Sequence, residues 1–267
     1  MRKEISIITR ADDCGSNHSA NIGIQKAIEG GVLKNISIMA TCPSVEEAAR
    51  LFIQRTDICF GLHFVLNAEW DNVKWGPVSN PSEVPTLTEP NGLFNQHPRY
   101  FKGHQPRMEE VITELKAQMK RLTNLGFKIT YVDTHMVPEW GILGLEDALR
   151  TWCYENGFLY WGDYYNHNLT MSVGEDPFAE HIYCLESLDA GQYLMITHPA
   201  IDSEEMRALG NSYETGIQIA MNRSKDILLW SHPNMLAEYN RRGIRPIRYD
   251  EAVITIPKLS LNKFWDE

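Results

Sequence analysis

Titratable side chains recur in this sequence where apolar runs end. The stretch ISIITRADDCG, residues 5–15, passes from Ile5, Ile7 and Ile8 into the adjacent carboxylates Asp12 and Asp13, with Gly15 behind them. GLHF puts His63 at the end of a second run, VDTH puts Asp133 and His135 at the end of a third, and ITHPA puts His198 at the end of a fourth. One carboxylate and two imidazoles leave an open position on a tetrahedral or octahedral divalent ion, as a catalytic metal site requires. Water on such an ion ionises several units below its bulk pKa of about 15.7. A second carboxylate nearby can then take a proton from it, and a histidine across the site can protonate a leaving group. Asp133 stands two residues from His135, a spacing that on a strand puts both on one face, where the acid can hold the imidazole's other nitrogen. The plainer reading of the acid pair is that one aspartate caps a helix starting near His18 while the other is solvated.

For these groups to meet, the runs that carry them must be neighbouring strands. The isoleucine run is short and β-branched, as suits a buried strand. His18 to Gly30, with Ile22, Ile24, Ala27 and Ile28 at helical spacing, reads as a helix stopped by Gly30-Gly31. Ile36, Ile38 and Met39 form a second strand, Ser44 caps a helix through Glu46, Ala49 and Leu51, and residues 58–65 form a third strand. Beyond them the pattern predicts helices over 108–125, 146–156 and 213–230, strands over 127–132, 158–161, 192–196 and 244–249, and a loop over 163–181. Ser231 and Pro233 open a last helix that Gly243 closes, and His232 at its start reads as structural. Six or seven strands alternating with helices, without an interior linker, predict an α/β fold: a single-domain (β/α) barrel over residues 1–267 with its strand ends as the reactive rim.

Between residues 67 and 106 the alternation stops. This stretch carries Pro77, Pro81, Pro85, Pro90, Pro98 and Pro106 among Trp70, Trp75, Phe94, Tyr100 and Phe101. A loop that long is usually functional, so an active-site insertion is expected, with a dimer arm or a decorative insertion as the alternative. Exposed Trp and Tyr faces can stack on sugar rings, which makes Trp70 a candidate substrate contact.

The chain of 267 residues and 30.6 kDa is 43% hydrophobic, enough for one barrel-sized core. A formal net charge of −10, with no Lys or Arg cluster beyond a pair, argues against nucleic acid or an anionic membrane as partner. Cys14, Cys42, Cys59, Cys153 and Cys184 are odd in number and hold no C-x-x-C pair, so neither a disulfide framework nor a cysteine zinc site is expected, and a reducing cytoplasm fits. MRKEISIITR reaches a strand without a long apolar stretch, and no segment supplies 18 uncharged apolar residues, so neither an export signal nor a membrane span is expected.

The runs ADDCGSN, NIGIQKAIEGGVLKNISIMATCPSVEEAARL, FGLHFVL, VPTLTEPNGLF, EVITELKAQMKRLTNLGF, VDTH and ITHPA resemble the YdjC-like family of carbohydrate deacetylases, which includes chitooligosaccharide deacetylases. The likeness is spread in order from residue 5 to about 250. It implies a deformed (β/α) barrel of the glycoside hydrolase/deacetylase type and removal of the N-acetyl group from an amino sugar or short oligosaccharide, with release of acetate. It also implies Asp13, His63 and His135 as ligands of a divalent metal, zinc or magnesium, with Asp12 as general base and His198 as general acid. Arg223, in NRSKDIL, is similar to the family's R-x-x-E/D pattern and is implied to hold the base or the substrate. A small carbohydrate substrate and a homodimer are implied with them.

This chain departs from the family's pattern in two places. Cys14 stands where the family commonly has Phe. The family's T-H-x-D-S-H-x-H reads here as Thr130-Tyr131-Val132-Asp133-Thr134-His135-Met136-Val137, so two further histidines are missing. The Tyr131 and Met136 departures bear on the substrate, because those positions are expected beside the pocket. Another metal-dependent amidase or esterase on this scaffold, or a sugar-binding homologue without catalysis, are the alternative functions. A glycosidase fits poorly, since its two carboxyls must flank a bond roughly 5–9 Å apart and Asp12 and Asp13 are adjacent.

Overall fold

Ile5–Cys14 form one ten-residue strand, β1, in the computed structural model, which describes residues 4–169 and 174–255. The strand continues past its isoleucines through both aspartates. Neither acid caps the next helix: Asn17 is the N-cap of α1 (His18–Ile28), its side chain accepting from the Ala20 N–H, and this removes the plainer reading of the pair. The alternation then proceeds through β2 (Asn35–Ile38), α2 (Val45–Phe52), β3 (Cys59–Phe64), α3 (Met108–Asn124), β4 (Ile129–Thr134), α4 (Leu145–Asn156) and β5 (Leu159–Tyr160). Ser44 occupies the N-cap position of α2, but its side chain makes no capping hydrogen bond.

Residues 163–181, expected as loop, instead contain β6 (His167–Leu169) and the start of α5 (Pro177–Glu186); residues 170–173 lie outside the described part. A three-residue strand is too short to show a period, and this one exists only because β7 (Gly191–Thr197) pairs with it. α6 (Glu204–Arg207), also unanticipated, precedes α7 (Gly216–Trp230), α8 (Met235–Arg242) and β8 (Ile244–Ile247). α7 begins at Gly216 because Thr215 and Gln218 form a reciprocal capping box there.

The strand pairings are all parallel, in the order β5-β4-β3-β2-β1-β7-β6 with β8 also on β1, and the sheet curves into a half-barrel carrying helices. One edge of β1 is covered by β7 along Ile5–Ala11; β8 takes Ile5–Ile8 of the other edge and β2 takes Arg10–Cys14. Asn35 seals the step between those two partners. Its Nδ2 donates to the Thr9 and Ile247 carbonyls and its Oδ1 accepts from the Tyr249 N–H, so the backbone groups at the gap stay paired. Among the described residues no helix is long and apolar enough to cross a membrane, and all five cysteines are free.

The stretch 67–106 is packed onto this frame. Trp70, Trp75, Phe94 and Phe101 are buried, and of the five aromatics named above only Tyr100 is exposed. Buried acids of α3 hold the segment down: Glu114 accepts from the Val78 and Ser79 N–H groups, and Glu110 from Thr86. Covering large aromatic surfaces and pairing these buried carboxylates both favour closure.

Tyr131 also lies inside. Its hydroxyl is 2.8 Å from Ser37 Oγ, and its ring packs against Tyr249 with centroids 4.1 Å apart. A Cβ on Gly61 would meet that ring at 2.2 Å, and the ring, backed and tethered, has no room to retreat. Gly61→Ala is therefore expected to destabilise the protein by about 1–3 kcal/mol, read as a lower urea midpoint with unchanged slope.

Candidate metal centre and its cavity

The candidate residues stand at or just past the ends of β1, β3, β4 and β7. In the β3–β4 register His63 lies opposite Asp133, and the His135 N–H extends the pairing by one bond to the Phe64 carbonyl at 2.9 Å. Strand alternation would send Asp12 and Asp13 to opposite faces. A bulge resolves this: the β1–β2 register shifts between Ala11 and Cys14, and Asp13 takes a left-handed φ of 62°. Both carboxylates thereby reach the same cavity.

Asp13 Oδ1 lies 3.5 Å from His63 Nε2 and 3.4 Å from His135 Nδ1, and those two nitrogens are 3.2 Å apart. Tetrahedral coordination with bonds of about 2.0–2.2 Å separates neighbouring donors by roughly 3.3–3.6 Å, so this triangle has the size an ion requires. Asp13 Oδ1 is also buried without a hydrogen-bond partner, which a cation would supply. The outer nitrogens are both engaged: His63 Nδ1 is 2.8 Å from Asp133 Oδ2, and His135 Nε2 is 2.9 Å from Glu69 Oε2. Asp133, expected to hold His135, holds His63 instead, because His135 lies past the end of β4 while His63 faces Asp133 across the ladder.

Asp12 is clamped rather than free. Arg10 reaches it through Nε at 2.6 Å and Nη2 at 2.8 Å, and the same guanidinium lies 3.1 Å from Asp133 Oδ2, donates to the Tyr249 hydroxyl and stands over the Trp161 ring. Asp12, His63 and Asp133 also cluster closely enough to suggest a metal, but the two acids already share the Arg10 cation. Arg223 pairs with Asp13 Oδ2 at 2.7 Å rather than with Asp12, and its guanidinium stands 5.9 Å from the Trp70 ring centre. His198 is held through its backbone, the N–H donating to Asp226 Oδ2 at 2.8 Å.

Four buried carboxylates, Asp12, Asp13, Asp133 and Glu69, face two guanidinium groups, Arg10 and Arg223, leaving the centre two positive charges short when both imidazoles are neutral. A divalent ion would supply that deficit. Without one the histidines attract protons: burial opposes the charge on His63, but Asp133 and Asp12 outweigh it and raise its pKa to about 10. Burial likewise opposes protonation of His135, and Glu69 and Asp13 raise it to about 9. Burial would lift Asp12, yet Arg10 and His63 hold it below the usual carboxylate range. Burial dominates at His198 and lowers its pKa, with Arg223 adding to the effect and Asp13 opposing it. Burial pushes the Asp226 carboxyl up to about 6.

These groups line a cavity of about 970 Å³. Asp12, Asp13, His63, Trp70, His135, His198 and Arg223 are all in its wall. Tyr131 is not, contrary to expectation, since it is packed beneath Gly61. By the motif's own spacing the second departure falls at Val137 rather than Met136; both line the cavity, and both have left-handed backbones with φ of 48° and 55°. Strained residues of this kind gather where surrounding structure fixes a functional wall. Sequence reasoning did not single out Arg10, Glu69, Trp161 or Tyr249. For Arg10 a signal existed, a cation two residues before Asp12 on the same strand face. Glu69 sits in irregular chain, where spacing carries no information.

Residues 6–143 match the family described as YdjC-like protein. A carbohydrate deacetylase of Geobacillus stearothermophilus is 27% identical over 262 residues, covering 91% of this chain and 96% of the relative. One from Thermoanaerobacter pseudethanolicus is 30% identical over 135 residues, about half of either chain at 48% and 49%. The solved structure of a candidate cellobiose-phosphate cleavage protein from Enterococcus faecalis has the same fold, with a TM-score of 0.70 and 18% identity over 94% of this chain and 100% of the other.

Proposed function

The chain belongs to the YdjC-like family, and from that premise we propose that it is a carbohydrate deacetylase, a metal-dependent hydrolase that removes the N-acetyl group of an amino sugar or short oligosaccharide and releases acetate. The observation that carries the proposal is the triangle of Asp13 Oδ1, His63 Nε2 and His135 Nδ1 beside the clamped Asp12 carboxylate. The cavity of about 970 Å³ is at the upper end of ordinary ligand pockets, which favours a short oligosaccharide over a single ring.

Asp13, His63 and His135 would hold the ion, and two imidazoles with one carboxylate favour zinc over magnesium. When bound, the ion supplies Lewis acidity toward the acetyl carbonyl and lowers the pKa of a water toward about 7. Asp12 takes the proton of the attacking water, and Arg10 keeps that carboxylate ionised and aimed. His198 gives a proton to the amine nitrogen as the C–N bond breaks, so the products are acetate and the free amino sugar. Arg223 and Trp70 form the part of the wall that meets the sugar. We infer one domain over residues 1–267, working in the cytoplasm as a homodimer. The free cysteines fit a reducing compartment, and the exposed Ile217, Met221 and Leu228 of α7 offer an apolar face to a second copy.

Acetate release from diacetylchitobiose and a panel of N-acetyl sugars, with protein stripped of metal and resupplied with zinc or magnesium, tests the reading. Metal-dependent acetate from any member supports it, and no acetate from protein shown to hold metal rejects it. The lowered pKa of His198 adds a pH signature. The acid form is lost as pH rises through that pKa, so kcat/KM is expected to fall on the alkaline side with an apparent pKa below the ordinary imidazole value of about 6.5. His198→Gln should remove that limb along with most of the rate; a variant that keeps the limb removes His198 as the donor.

A further inference from the structure

Three of the centre's four carboxylates stand on strands, and Glu69 does not. It belongs to the packed stretch 67–106, where its position is fixed from both sides. The Ala68 N–H donates to the Asn95 carbonyl at 2.9 Å, the Glu69 carbonyl accepts from Gln96 Nε2 at 3.0 Å, and the Asp71 N–H donates to the Gly210 carbonyl at 2.8 Å. Trp75 donates from Nε1 to the Asn67 carbonyl and turns its ring edge-on to His135, with centroids 6.4 Å apart. Chain held at this many points is a wall of the site rather than a lid.

A neutral imidazole has one N–H donor and one lone-pair acceptor, and the nitrogen that hydrogen-bonds to a carboxylate oxygen, which can only accept, carries the proton. Glu69 Oε2 is 2.9 Å from His135 Nε2, which leaves Nδ1 with its lone pair toward Asp13 Oδ1 and His63 Nε2. Asp133 Oδ2 is 2.8 Å from His63 Nδ1, which leaves Nε2 free. We propose that Glu69 is a positioning residue that fixes His135 as its Nε2–H tautomer, opposite to the Nδ1–H tautomer that Asp133 imposes on His63, so that a ring on β3 and a ring just past the end of β4 present different nitrogens to one ion. Glu69 binds the ring nitrogen that faces away from the donor triangle, so it acts through His135 and not as a fourth ligand. The inserted stretch thus contributes a carboxylate that sets ion affinity, in addition to any contact with substrate. The proposal rests on the metal-dependent reading given above for the identity of the occupant.

The test is titration of zinc, and separately magnesium, into metal-stripped wild type, Glu69→Gln and Glu69→Ala by calorimetry, with ring-nitrogen NMR of the zinc-loaded proteins. Glu69→Ala is expected to weaken zinc about 10- to 100-fold, and Glu69→Gln by less, because its amide oxygen still accepts from Nε2–H without the charge. The wild-type spectrum should show the ring proton of His135 on Nε2 and that of His63 on Nδ1. Should Glu69→Ala fail to fold, the glutamine variant and the wild-type tautomers decide the matter. Equal zinc affinity in wild type and a folded alanine variant, or a His135 proton on Nδ1 in the loaded wild type, overturns the proposal and leaves the deacetylase reading intact. A wild-type protein that binds neither ion overturns the metal centre and the Glu69 role together.

Discussion

If Asp12 is the general base proposed above, Asp12→Asn is expected to leave a folded protein that still binds a divalent ion and turns substrate over about 10²- to 10⁴-fold more slowly, the range for removal of such a base. The amide keeps the shape of the carboxylate but cannot take a proton from water. Ion binding survives because the three donors of the triangle, on Asp13, His63 and His135, are untouched. Arg10 loses a bidentate partner at 2.6 and 2.8 Å but retains Asp133 at 3.1 Å, so the cation is not stranded. His63→Ala should behave differently and lose both metal and turnover, since it deletes a donor and leaves Asp133 without its imidazole. Acetate release and metal content, measured on the same preparations, separate the two outcomes. A near-normal rate for Asp12→Asn would end the assignment of Asp12 as base.

Arg10→Met is expected to cost about 3–5 kcal/mol in metal-stripped protein, because it leaves Asp12 and Asp133 buried without the cation they share. For a chain of this size that corresponds to a fall in Tm on the order of 10 °C. The sign of its pH dependence is a second check. In the wild type, burial would raise the Asp12 pKa, but Arg10 and His63 hold it below the ordinary carboxylate value. Its contribution to stability is therefore present above the unfolded pKa, about 3.9, and is lost as pH falls through the lower folded value. Without Arg10 the largest opposing charge is gone, and burial, opposed by His63 and His198 alone, lifts the folded pKa above its wild-type position. The variant's deficit should then be largest at neutral pH and shrink as the solution is acidified toward about pH 4. Thermal melts of both proteins at several pH values measure this, and a deficit that does not change with pH would show that Arg10 acts through packing alone.

The long elements were readable because their periods extend over several turns. α3, with Val111, Leu115, Met119 and Leu122 buried on one face, lies where its spacing predicts, and Gly157 and Gly243 end α4 and α8 with the left-handed backbone that glycine permits. β6 and α6 were not readable, being three and four residues long. Nor was the inward packing of Trp70, Trp75, Phe94 and Phe101, since prolines and aromatics in irregular chain specify no direction until the helix beneath supplies Glu110 and Glu114 as partners.

Legible along the chain are the candidate groups and their shared location. Asp12, Asp13, His63, His135 and His198 each follow or end an apolar run, and parallel strands with helical crossovers bring all such ends to one rim. Which group holds which is set by the fold: a bulge at Asp13 turns adjacent acids toward one cavity, Arg10 clamps Asp12, Asp133 pairs with His63 and Glu69 with His135. The physical reason is range. Strand and helix periods act over a few residues and are written along the chain, whereas hydrogen-bond partners among buried charges depend on register and loop placement over 66 residues between His135 and Glu69 and 70 between His63 and Asp133.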